Sequence, residues 1–120
     1  MIYKILLLIL LLSSCGSTLK EEDCSQRDWL EQGLSDASRG LEKSMYSTYL
    51  KVCSQKEETN TLEQYLKGYL QGAKKYCSYY QGKLVGESSR PFPSVCEVAR
   101  FDQFSKGYNE GKKAKKKALK

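Results

Sequence analysis

Four widely spaced cysteines constrain this chain more than any other feature. Cys24, Cys53, Cys77 and Cys96 are separated by 29, 24 and 19 residues, and a fifth, Cys15, closes an N-terminal apolar run. Structural zinc sites usually draw on close pairs such as Cys-x2-Cys, so these spacings favour two disulfides over a four-thiolate metal centre. Disulfides persist in oxidising compartments, which makes export a condition of the fold. In a chain of 120 residues burial alone leaves a modest surplus, and each bridge adds about 3–4 kcal/mol on a chain-entropy argument.

The N-terminus supplies the export reading. Residues 1–14, MIYKILLLILLLSS, hold one lysine, an unbroken apolar run over residues 5–12 and two small residues. This is the pattern of a secretory signal peptide, and the run is far shorter than the roughly 20 residues a membrane-spanning helix needs. Leu12-Ser13-Ser14-Cys15 resembles the lipobox of bacterial lipoproteins. That resemblance implies lipidation of Cys15, which would become the first mature residue. The residue after it is Gly16 and not aspartate, which among such lipoproteins implies the outer membrane, periplasmic face. Two or more acyl chains, at about 0.8 kcal/mol per buried methylene, make such an anchor essentially permanent.

Beyond a lipidated tether over residues 15–23, hydrophobic periodicity predicts an all-α domain over residues 24–111 and a basic tail over residues 112–120. Ser25 and Asp28 have capping-box spacing, and Leu30, Leu34, Ala37 and Leu41 recur at helical intervals, giving a first helix over about residues 26–39 that ends near Gly40. Tyr46, Tyr49, Leu50 and Cys53 predict a second over about residues 41–54. Leu62, Leu66, Tyr69, Leu70, Ala73 and Cys77 share one face of a third, which Asn60 or Thr61 can cap. Glycines, serines and prolines over residues 78–95 read as an irregular loop. A fourth helix over about residues 97–117 carries Phe101, Phe104, Tyr108 and Gly111. The expected architecture is a small bundle of about four helices stapled by two disulfides. Antiparallel packing of the first two helices would pair Cys24 with Cys53, and a closed loop neck would pair Cys77 with Cys96.

Three predicted helices share a frame of glycine, a large apolar residue, two intervening residues and a small residue, at Gly33–Ala37, Gly68–Gly72 and Gly107–Gly111. Small residues four apart leave a shallow groove in which a second helix can approach closely. Helix packing is therefore the expected use of the frame.

Cys24, Asp28-Trp29, Gly33, Asp36, Gly40 and Cys53, then Tyr65, Gly68, Gly72 and Tyr76-Cys77, then Gly82 and Val95-Cys96, together resemble the small Gram-negative lipoproteins that carry domain of unknown function 2799. Ala37 stands where that pattern places another glycine. The resemblance implies an envelope lipoprotein and no particular activity.

Histidine is absent, which removes the commonest general base and imidazole metal ligand. No cofactor is expected. Lys112, Lys113, Lys115, Lys116, Lys117 and Lys120 match the whole net charge of +6. They complement the dipole of the last helix and form a candidate anion-binding site for lipopolysaccharide phosphates, anionic phospholipid or peptidoglycan carboxylates. Nucleic acid is not expected as a physiological partner. Trp29 and the tyrosines are expected mainly in packing, with Tyr79 and Tyr80 best placed to stack on a glycan. Asp28, Asp36, Glu63 and Glu110 fall on different predicted helices and make no evident acid/base pair. The expected role is a binding or structural module for an envelope protein or polyanion. The alternative is an enzyme acting on cell-wall or lipid substrates through carboxylates of the loop between Cys77 and Cys96.

Overall fold

The computed structural model describes residues 24–53 and 57–120. The leader, Cys15 and the tether lie outside the described residues. Five α-helices are present among those described: α1 (Trp29–Ser38), α2 (Met45–Val52), α3 (Thr59–Tyr76), α4 (Tyr79–Glu87) and α5 (Asp102–Ala118). Single 3-10 turns occur at Cys24–Gln26 and Ser94–Glu97. The all-helical expectation holds, with one more helix than the periodicity indicated.

Local chemistry sets the helix ends. Asp28 caps α1, its side chain accepting from the Glu31 amide at 3.0 Å, so the helix starts three residues later than the Ser25 frame suggested. At the other end Gly40 has φ 77, while the Gly40 amide donates to the Ala37 carbonyl at 3.0 Å and that of Leu41 to Asp36 at 2.9 Å. This is a Schellman ending, which satisfies two orphan carbonyls and calls for a left-handed residue. The segment expected to be an irregular loop instead contains α4, capped by Ser78, whose hydroxyl accepts from the Gln81 amide at 3.2 Å.

The helices associate as two parallel pairs, α1 with α3 and α4 with α5. In the first pair, a Cβ placed on Gly68 would overlap the Leu30 carbonyl, one on Gly72 the Leu34 carbonyl, and one on Gly33 the Tyr65 carbonyl. Ascending partners along both helices make the pair parallel. In the second pair Gly82 lies on Phe104, Gly86 on Tyr108, Gly107 on Tyr79 and Gly111 on Lys83, again in ascending order. Glycine's cost in helix propensity, about 1 kcal/mol each, is offset by backbone-to-backbone packing that no other residue permits.

The two pairs are one design used twice. Gly33 faces the Tyr65 carbonyl and Tyr69 amide as Gly82 faces those of Phe104 and Tyr108, and Gly68 faces Leu30 and Leu34 as Gly107 faces Tyr79 and Lys83. Both first helices end in the same way: Ser89 has φ 54 where Gly40 has φ 77, and the Arg90 amide reaches the Val85 carbonyl at 3.3 Å. The Tyr69 hydroxyl donates to the Leu41 carbonyl at 2.6 Å, and that of Tyr108 to the Arg90 carbonyl at 3.1 Å. The shared glycine frame therefore marks partners and duplicates, not three consecutive repeats. Gly82 and Gly86 keep only its spacing of small residues, yet they make the same backbone contacts.

Both cysteine pairs form as expected, Cys24 with Cys53 and Cys77 with Cys96, at Cα separations of 5.7 and 5.6 Å. Each ties the chain just before the first helix of a pair to the crossover that leads to the second. Parallel helices need such a crossover, and one disulfide pins each. The core gathers Trp29, Tyr46, Tyr65, Tyr69, Val85, Val95 and Phe104 around these bridges. Trp29 meets Tyr46 edge-on, with ring centroids 5.0 Å apart.

Candidate functional site

Two polar features stand out, one buried and one open. The buried one is Asp36, fully enclosed on α1. Its Oδ1 accepts from Gln32 Nε2 at 2.9 Å and Arg39 Nη2 at 3.0 Å, its Oδ2 accepts from the Tyr65 hydroxyl at 2.9 Å, and the Tyr49 hydroxyl bridges both oxygens at 2.9 Å. Arg27 extends the network, donating to Gln32 Oε1 at 2.8 Å with its guanidinium 4.6 Å above the Tyr49 ring. A carboxylate has about four lone-pair sites, and donors engage them here. Asp36 thus locks α1 to α2 and α3 and offers no open face to a substrate.

The surrounding phenols carry the imprint of that site. Burial first, and then the hydrogen bond to Asp36, push the Tyr65 hydroxyl far above its ordinary range. The same two causes raise Tyr49. Tyr69 is pushed up to about 12, chiefly by burial, with the charges of Glu42 and Asp36 adding to it.

The open feature is a groove of about 350 Å3 where the end of α4 meets the last turns of α5. Arg90, Lys112, Lys115 and Lys116 line it, together with Tyr108 and Leu119 and the backbone turn at Ser89 and Pro91. No carboxylate is among its lining residues. Lys112 Nζ lies 5.4 Å above the Tyr108 ring, so that lysine is held by a cation–π contact at the groove wall. Leu119 is 78% exposed at the groove mouth.

The structure sorts the residues singled out by sequence. Lys112, Lys115 and Lys116 converge on the groove, whereas Lys113, Lys117 and Lys120 are exposed outside it. All but the last belong to α5, which continues to Ala118. Trp29 is buried, Tyr80 is 72% exposed, and Tyr79 donates to Glu110. That hydrogen bond is the main cause raising the Tyr79 hydroxyl above its usual value. Asp28 serves as a cap, and Glu63 is exposed on α3. Between Cys77 and Cys96 the sequence has one carboxylate, Glu87, which lies on α4 and 3.9 Å from Lys83. Among the described residues no group of three or more His, Cys, Asp or Glu side chains could hold a metal ion.

Sequence reasoning missed Arg90 and the Asp36 network. The signal for Asp36 was its place three residues after Gly33 and directly before Ala37, on the face that meets the partner helix. Arg90 had only the weak cue of Ser88-Ser89 ahead of it, a helix ending written without glycine.

A small all-helical domain of two parallel, glycine-packed helix pairs, each pinned by one disulfide, is the class these features define. Residues 28–113, most of the chain, match the family model described as Protein of unknown function (DUF2799), and the chain belongs to that family. No curated protein and no solved structure matches it.

Proposed function

We propose that this protein is an acyl-anchored lipoprotein of the outer membrane, facing the periplasm, and that it acts by binding an anionic component of the envelope rather than by catalysis. The observation that carries the binding role is the groove at the end of α4, where four cations gather with no carboxylate among them. Clustered cations near an anionic surface contribute about 1 kcal/mol each and raise the local concentration of counter-ions. The export reading rests on the N-terminal sequence and on the two cysteine pairs, which an oxidising compartment keeps intact. No helix among the described residues is long and apolar enough to cross a membrane, so the anchor in this reading is the lipid on Cys15.

Two measurements test it. Cells fed a clickable palmitate should label the protein, and Cys15→Ser should lose both the label and the membrane fraction. Photocrosslinking in intact cells from position 119 should capture an anionic lipid, lipopolysaccharide or wall fragment. An unlabelled protein with an uncut leader would end the anchor reading, and crosslinks only to neutral components would end the binding role.

A further inference from the structure

We infer that the groove at the end of α4 is a site for the phosphate headgroup of an acylated amphiphile, with Arg90, Lys112, Lys115 and Lys116 on the phosphate and Tyr108 and Leu119 against hydrocarbon. This deepens the proposed binding role and rests on it, naming the site and the ligand chemistry.

The duplicated architecture supplies the argument, because the first helix pair shows what this location looks like without a ligand role. Matching the two units through their glycine contacts, Arg90 stands where Leu41 stands, Lys112 at the place of Ala73, Lys115 at that of Tyr76 and Lys116 at that of Cys77. All four groove cations therefore occupy positions that are uncharged in the first pair. There the location is filled: the Tyr76 ring packs against Gly40, close enough that a Cβ on Gly40 would lie 2.8 Å from it. In the second pair the ring is replaced by a lysine, and a cavity of about 350 Å3 remains.

The helix dipole favours cations at this end of α5, but the set also repels itself when no anion is bound. Lys112, Lys115 and Lys116 sit three and four residues apart on α5, a like-charge spacing that weakens a helix by a few tenths of a kcal/mol per pair. A bound anion removes that penalty. Phosphate suits the set best, since a guanidinium fork can grip two oxygens while ammonium groups neutralise the remaining charge. An inorganic ion alone leaves Leu119 exposed beside the charges, whereas an acyl chain covers it. The Tyr108 hydroxyl, bonded to the Arg90 carbonyl, ties the turn bearing the arginine to the helix bearing the lysines.

The test uses the full-length protein purified in a neutral maltoside and titrated by calorimetry with dihexanoyl phosphatidic acid, dihexanoyl phosphatidylcholine, octanoate and inorganic phosphate. Phosphatidic acid should bind on the order of tenfold more tightly than the other three. The pair Lys115→Glu with Lys116→Glu should weaken it by at least about tenfold, and Arg90→Leu by a similar factor. The pair Lys113→Glu with Lys117→Glu makes the same charge change on the same helix turns outside the groove, and should cost less than about threefold. Equal losses for the two pairs would overturn the site while leaving anion binding standing. Octanoate binding as tightly as phosphatidic acid would overturn the phosphate assignment, and inorganic phosphate doing so would overturn the hydrocarbon contact. Failure of every anion to bind would remove both this inference and the binding role beneath it.

Discussion

Val85 occupies in the second helix pair the position that Asp36 holds in the first, and both are buried. Their partners change in step, since Tyr65, whose hydroxyl donates to Asp36 at 2.9 Å, corresponds to Phe104. Carboxylate and hydroxyl are present together in one unit and absent together in the other. The same backbone frame therefore accepts either a polar or an apolar solution, but a mixture leaves a buried group unpaired. Asp36→Val should cost about 2–4 kcal/mol, because it strands the hydroxyls of Tyr49 and Tyr65. Tyr65→Phe made together with it should cost less than the sum of the two single changes, with a coupling of about 1 kcal/mol or more. Urea unfolding of the four proteins at neutral pH measures this, and strict additivity would refute it.

The glycine contacts lead to a second expectation. Alanine at Gly68 improves helix propensity by about 1 kcal/mol, but its Cβ meets the Leu30 carbonyl, which belongs to backbone and cannot rotate away. Forced separation of packed helices typically costs about 1–3 kcal/mol net, so Gly68→Ala and its duplicate Gly107→Ala should each lower the thermal midpoint by several degrees. Circular dichroism melts decide the matter, with Ser47→Ala on the exposed side of α2 as the control. An unchanged midpoint at both glycines would mean the close approach is not a source of stability.

Alkaline pH should act through the tyrosines. Tyr49, Tyr65 and Tyr69 all hold their protons more firmly in the folded protein than in the unfolded chain, Tyr69 up to about 12. Below about pH 10 both states are protonated, and these groups make no pH-dependent difference. Above it the unfolded chain loses protons that the fold retains, so stability falls progressively between about pH 10 and 12. Denaturation midpoints taken across that interval should decline, and Tyr65→Phe should flatten the slope. A midpoint that stays level while exposed phenols titrate at 295 nm would contradict the burial argument.

How far the fold was legible depended on what each residue signalled. The existence of α3 was legible because Leu62, Leu66, Tyr69 and Ala73 repeat at helical spacing, but its face was not: Tyr65, Gly68, Tyr69, Gly72 and Ala73 are buried while Leu66 and Leu70 are exposed, because the glycines and not the leucines meet α1. The cysteine pairing followed from where helix ends were expected. The partnership of helices was not legible. Adjacent segments suggested antiparallel neighbours, whereas α1 pairs in parallel with α3, a choice made by backbone contact at Gly33, Gly68 and Gly72. Helix α4 was hidden by its own glycines. Gly82 and Gly86 read as punctuation because an isolated helix gains nothing from them, and Lys83 breaks the frame in which the other helices carry a large apolar residue after the first glycine. The lysine half of the groove was visible as charge, but Arg90 enters only through a Schellman ending built on a serine.

That ending gives the sharpest contrast between the duplicates. Gly40 and Ser89 occupy equivalent left-handed positions, φ 77 and 54, yet only one is glycine. A non-glycine residue there carries about 1–2 kcal/mol of strain, partly balanced by the smaller conformational entropy its unfolded chain must lose. Ser89→Gly should therefore stabilise the protein by about 0.5–1 kcal/mol. Gly40→Ser should destabilise by more than that, since its Cβ would also press on the Tyr76 ring 2.8 Å away. Opposite signs at matched positions are the expected result in urea unfolding. If both substitutions move stability in the same direction, the two helix ends are not doing the same job, and the equivalence of the two units at this point fails.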